Sequence, residues 1–175
     1  VLTALNARFV IEGPAGSSRT ASPNEFFGTP LEPNLAANEI LTTVEVPSFA
    51  ANQRAEYAKV AHPASGYAVV SGAVVVTLDG DRCTSASIAV GGLVPAPVKA
   101  SSVERALTGQ TLNVEIIMAA SSQVANDLGS DVIGDLYASA EYRRAMAAVE
   151  IRHALFHITG EAHVGSRAES VLHGV

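Results

Sequence analysis

The sequence predicts an α+β protein in which an antiparallel sheet lies against a layer of helices. Two runs rich in β-branched residues, 68–78 and 82–90, flank Asp79-Gly80, a dipeptide that favours a tight hairpin. From residue 101 onward the apolar spacing changes from strand-like to helical. All strands of this half precede all of its helices, the order of an α+β domain rather than of alternating strand–helix units.

The elements follow in order. Residues 7–13 form the first strand, and "LNARFVIEG" reads as a strand already under way, so an N-terminal portion is expected before Val1. "GPAGSSR" is a turn, because Gly13, Pro14 and Gly16 break regular structure. Pro30 and Pro33 forbid a long helix in the next stretch. Leu41, Val44 and Val46 then alternate along a strand that Pro47 ends. The small, polar residues 48–56 are the candidate domain boundary.

Residues 57–61, 68–78 and 82–90 are three further strands. Asp79 and Gly80 are expected at the centre of a type I′ turn, which needs positive φ at both positions. "GGLVPAPVKA" is an extended linker stiffened by Pro95 and Pro97. Ser101 is the expected N-cap of the first helix, with Glu104 completing a capping box and Gly109 as the stop. In the second helix Val114, Ile117, Met118, Val124 and Leu128 share helical spacing. The third helix spans 140–159. It carries Tyr142, Ala145, Met146, Val149 and Phe156 on one stripe and Ile151, Leu155 and Ile158 on its neighbour. Two stripes imply a helix covered on more than one side. "GEAHVGSRAESVLHGV" closes the chain as a glycine- and serine-bearing tail.

Composition narrows the function classes. A chain of 175 residues can bury roughly 70% of its unfolded surface, enough for a sizeable core without staples. Its net charge of −6 and scattered basic residues provide no face for neutralising phosphates, which argues against nucleic acid. Asp79, Asp81 and Arg82 interrupt the best apolar run, so no membrane span is expected, and no signal peptide is recognisable. The lone Cys83 excludes an internal disulfide or a cysteine-based metal centre within the chain, and a cytoplasmic location is the expectation.

Most candidate constellations have a plainer reading. "GPAGSSR" lacks the lysine and the helix of a phosphate-binding loop and is a simple turn. His153 and His157 stand one helical turn apart near Glu150 and Glu161, but Ala154 occupies the place where the zinc-protease motif has glutamate. Core or interface histidines are the favoured reading. No Gly-x-Ser-x-Gly elbow is present. "GGLVPAP" leads into proline-stiffened coil rather than the helix of a dinucleotide loop. Cys83 reads as a buried, inert thiol. "KVAHPASGYAVV" is different. It sets Lys59 and Tyr67 on either side of a short loop, which is either an edge charge beside a turn aromatic or the edge of a ligand site.

Four segments, in order and together covering residues 8 to 155, resemble one family. "GPAGSSRTASPNEFFGTP…NEILTTVEVP" is similar to a glycine-bracketed turn followed by arginine, a Phe-Phe pair and a Glu-Ile-Leu strand ending in proline. "YAKVAHPASGYAVV" is close to a Tyr-x-Lys, His-Pro-Ala-Ser, Tyr-Ala sequence. "DGDRCTSASIAVGGLVPAPVKA" and "ASAEYRRAMAAVEIRHAL" complete the set. The chain thereby resembles the C-terminal part of the FAD-binding medium subunit of molybdenum hydroxylases, the xanthine dehydrogenase and aerobic carbon monoxide dehydrogenase family.

The resemblance implies a three-stranded antiparallel sheet with a three-helix bundle over residues 51–163. A remnant of the second lobe of an FAD-binding domain would occupy 1–50, and 164–175 would form the tail. The glycine-rich segments that bind pyrophosphate and adenosine in complete members have no counterpart here. By position, Leu41 would meet the flavin through its backbone, Lys59 would lie at the polar edge of the ring system, and Tyr67 would flank its face. An ammonium there can stabilise negative charge on the flavin, and an aromatic ring can shield it from solvent. None of the three would be catalytic in the sense of touching substrate. The implied role is electron transfer from [2Fe-2S] clusters of a small subunit through FAD to an acceptor. Molybdopterin would sit in a large subunit of the same hetero-oligomer. The alternative is a flavin-free scaffold for those partner subunits.

Overall fold

The computed structural model describes residues 1–29 and 32–161; the expected tail beyond Glu161 and the breaker Pro30 lie outside them. Residues 2–6 form a turn with Asn6 in the left-handed region, so the first strand starts at Arg8, later than "LNARFVIEG" suggests. Strand β1 (Arg8–Glu12) is central in a three-stranded antiparallel sheet, flanked by β2 (Ser18–Ala21) and β5 (Ile40–Glu45). Its alternation is plain: Phe9 and Ile11 are buried, whereas Arg8 and Glu12 are exposed.

Between β2 and β5 lies a short helix, α1 (Pro23–Phe26), that sequence reading did not anticipate. Glu25 accepts from both the backbone and the hydroxyl of Ser22, each at 2.7 Å, so the capping box of this chain is here. The helix is one turn long and delivers Phe26 and Phe27 onto Phe9. Phe26 stacks on Phe9 at 4.2 Å between centroids, and Phe27 meets both rings edge-on at 5.4 Å. Phe27 continues into a small ladder of β3 (Phe27–Thr29) with β4 (Glu32–Pro33).

The larger sheet runs in the order β6 (Gln53–Ala61), β7 (Ala68–Asp79), β8 (Arg82–Gly91) and β9 (Val98–Lys99), all antiparallel. It therefore has four strands rather than the expected three. Val98 and Lys99, assigned to a linker, pair with Val90 and Ala89 once Pro97 is passed. Strand β6 begins four residues before the expected Tyr57, which confines the connection between the sheets to residues 46–52.

Helices α2 (Ser101–Leu107) and α4 (Ala140–Thr159) pack on the sheet, and α3 (Val114–Ser122) packs on both. Val70, Val74, Val76, Ile88, Leu107, Ile117, Ile151 and Leu155 build the shared core. The central strand β7 is buried on both faces, since Ala73 and Val75 meet Ala4 of the N-terminal turn on the side away from the helices. Gly72 sits where α4 crosses. A Cβ there would lie 3.1 Å from backbone atoms of Glu150 and Ile151, so any larger residue would require the helix to give by a few tenths of an ångström.

Three local expectations fail for physical reasons. Ser101 is the first residue of α2 and not its cap; the Ser102 amide and hydroxyl instead donate to Asp127, 2.9 Å each, and Glu104 accepts from Ile88 and pairs with Lys99. The hairpin places Gly80 and Asp81 between the paired Asp79 and Arg82, and only Gly80 has positive φ. That matches a turn with glycine first, type II′ in kind, rather than type I′. Finally, Val114, Met118 and Tyr142 are exposed. The buried face of α4 keeps Ile151, Leu155 and Phe156 from the expected stripes and adds Arg143, Ala147, Glu150 and Ala154, of which periodicity could not foresee the two charges.

Candidate functional site

The loop of residues 62–67 joins β6 to β7 and is closed at its base by two backbone bonds. His62 donates to the Tyr67 carbonyl at 2.7 Å, and Gly66 donates to the His62 carbonyl at 2.8 Å. Inside it the Ala64 amide donates to His62 Nδ1 and the Tyr67 amide to the Ser65 hydroxyl. Gly66 adopts φ +71, a conformation glycine accepts without strain. Lys59, near the end of β6, reaches across so that its ammonium donates to the Gly66 carbonyl at 2.9 Å.

Lys59 and Tyr67 are thus brought together by the loop. The Lys59 ammonium has three donors, of which Gly66 takes one. The Tyr67 ring is 78% exposed and stands out on a rigid support. The loop bonds set where the Tyr67 backbone stands, and the ring projects from that position into solvent with its face open to a partner.

Leu41 belongs to the other sheet. It pairs with Ile11 across β1 and packs half-buried against the phenylalanine cluster. Because β5 is the outer strand, its far edge has no ladder partner among the described residues. Just before β5, Glu39 is gripped by the Arg19 guanidinium of β2 with two bonds of 2.7 and 2.8 Å, and Arg19 also donates to the Asn34 carbonyl. The arginine bonds and the Ala36 amide hold the Glu39 carboxyl down at about 2.

Behind the 62–67 loop lies a group of residues that sequence reading did not single out. Arg143 is 6% exposed and donates to the carbonyls of Val69 (3.0 Å), Gly92 (2.8 Å) and Ala138 (3.3 Å), and it pairs with Asp135. Asp135 accepts from the amides of Ala138 and Tyr137, and these bonds, with Arg143 and His62 nearby, keep its carboxyl below the ordinary value. The Tyr137 ring packs on the His62 ring at 4.6 Å. The available signal was an arginine pair in "EYRRAM", which reads as a solvated face until the buried stripe is known.

The remaining candidates are ordinary. His153 is half-buried beside Glu150, His157 is exposed, and no group of three or more metal-ligating side chains occurs among the described residues. Cys83 is fully buried, and that burial pushes its thiol up. Among the described residues no helix is long and apolar enough to cross a membrane.

The fold at this point is defined: a four-stranded antiparallel sheet backed by helices, preceded by a smaller three-stranded sheet. Residues 55–158 match the family described as CO dehydrogenase flavoprotein C-terminal domain, and the chain belongs to that family. It is 33% identical over 155 residues to the nicotine 6-hydroxylase medium subunit of Paenarthrobacter nicotinovorans, covering 89% of this chain and 53% of that protein. It is 31% identical over 149 residues to the glyceraldehyde dehydrogenase medium chain of Sulfolobus acidocaldarius, covering 85% and 52%. The carbon monoxide dehydrogenase structure from Hydrogenophaga pseudoflava superposes with a TM-score of 0.79 at 30% identity, covering 88% of this chain and 53% of that one. The chain spans about half the length of the relatives it matches. Those relatives are oxidoreductase subunits.

Proposed function

We propose that this chain is the C-terminal part of a flavin-binding medium subunit of a molybdenum-containing hydroxylase or dehydrogenase, and that the 62–67 loop lines the edge of its FAD. The observation that carries the reading is the braced, outward Tyr67 ring beside an ammonium with donors to offer. FAD, when bound, supplies the redox chemistry that passes electrons from iron–sulfur clusters to an acceptor. The protein's part is electrostatic and steric. Lys59 favours negative charge at the polar edge of the ring system, Tyr67 covers its face against water, and Leu41 offers backbone groups from the open edge of β5. The residues present fit such a group: a cation, an exposed aromatic ring and a strand at the outer edge of a sheet. In this reading residues 1–50 belong to the FAD-binding domain and 51–163 form the sheet-and-bundle domain. Molybdopterin and [2Fe-2S] partners reside in a large and a small subunit.

A second reading is a flavin-free scaffold for those subunits. It is favoured by the exposed apolar side chains Ile40, Val44, Val46 and Phe49 along and after β5. The two separate on Tyr67→Ala in the purified protein. The flavin-edge reading expects shifted flavin absorption bands or altered flavin reoxidation with assembly intact. No flavin in the assembled complex would establish the scaffold instead, and an unchanged spectrum and rate in a flavin-bearing complex would remove Tyr67 from the site.

A further inference from the structure

We infer that Arg143, Asp135, Tyr137 and His62 form a positioning relay that sets the 62–67 loop, and with it the ring of Tyr67; the inference rests on the flavin-edge reading above. Arg143 is on α4, in the helical layer, yet its guanidinium acts on both ends of the loop. At one end it holds the Val69 carbonyl, two residues beyond Tyr67, and ties it to the Gly92 carbonyl at the end of β8. Gly92 is itself close-packed there: with φ +84, a Cβ would lie 2.5 Å from the Ala68 carbonyl oxygen.

At the other end Arg143 pairs with Asp135, which fixes the amides of Tyr137 and Ala138. Tyr137 is thereby presented to the His62 ring, and His62 opens the loop through its bonds to Tyr67 and Gly66. A buried guanidinium is costly to desolvate, and simple packing would be served by an aliphatic residue at this place. Its donors go instead to the Val69 carbonyl just after the loop, to the Gly92 carbonyl, and to the 135–138 segment that carries Tyr137. Its planar fork, which lysine lacks, matches carbonyls and a carboxylate lying in different directions. Arg143 touches no ligand in this scheme; it is a positioning residue.

The test uses the flavin-bearing protein with Arg143→Lys, Tyr137→Ala and Tyr137→Phe. Tyr137 is half-exposed, so its truncation keeps the fold even if Arg143→Lys does not. Amide hydrogen exchange is followed at His62 and Gly66, with Val74 and Val76 as internal controls, alongside the flavin absorption bands. Loss of one ring contact should speed exchange at His62 and Gly66 by about three- to tenfold while the controls stay protected. The flavin bands should move in the same direction as in Tyr67→Ala, and Tyr137→Phe, which keeps the ring, should restore both readouts. Unchanged loop exchange in Tyr137→Ala would overturn the relay and leave the flavin-edge reading standing. Loosened loop amides with unmoved flavin bands would overturn that reading itself.

Discussion

The two sheets of this molecule are built on different scales. The larger one is buried on both sides at its centre: β7 has α4 on one face and the N-terminal turn on the other. The smaller one is held by one buried seam of Phe9, Ile11, Ala21 and Phe26, while nearly all of β5 is exposed. Its cohesion comes from a stacked pair of rings with a third edge-on to both, and from the Arg19–Glu39 grip. The lesson is that the proposed flavin residues are divided between unequal supports. Lys59 and Tyr67 stand on the well-buried sheet and Leu41 on the thin one.

Phe9→Ala should break the comparison most severely. It removes the ring on which Phe26 and Phe27 both pack, at a local cost of about 3–5 kcal/mol. Amide exchange should accelerate throughout β1, β2 and β5 while β7 and α4 stay protected. If the amides of β7 open at the same rate, the sheets are one cooperative unit and the distinction fails.

Gly72→Ala probes the larger sheet with a smaller effect. The added methyl meets the backbone of α4, which cannot move aside without shifting the helix, and overpacking of this kind costs about 1–3 kcal/mol. Thermal or urea unfolding should show the loss, and a neutral result would mean that α4 gives way by the few tenths of an ångström needed and that the contact is not a tight constraint. Acid should give the mildest change, confined to the thin sheet. The folded-state value of Glu39 lies near 2, below its ordinary 4.5, so its contribution is fully present above 4.5 and is lost as pH falls through about 2. Glu39→Gln should abolish that acid dependence in β2 and β5 exchange; persistence of the same dependence would assign it to other carboxylates.

The legible parts of this fold were those fixed by local chemistry. Helix α4 runs over the span 140–159 that its pattern defines, and strand β7 follows its β-branched run almost to the residue. What escaped was set by tertiary contact. Asp127 caps α2 from another segment, which frees Glu104 to bond β8, so a capping box written in the sequence is not the one formed. Strand β9 exists only because β8 offers an edge beside it. In the site, "KVAHPASGYAVV" announced the loop, and a lysine beside a glycine-containing turn has a local meaning. Arg143 could not be read in the same way, because its three carbonyl partners come from three separate places along the chain.

The measurement that tests the account most directly is the flavin released when the purified protein is denatured, compared mole for mole with this chain. The account predicts close to one flavin per chain, with Tyr67→Ala altering its absorption before release. A preparation that is folded, assembled and free of flavin would contradict it.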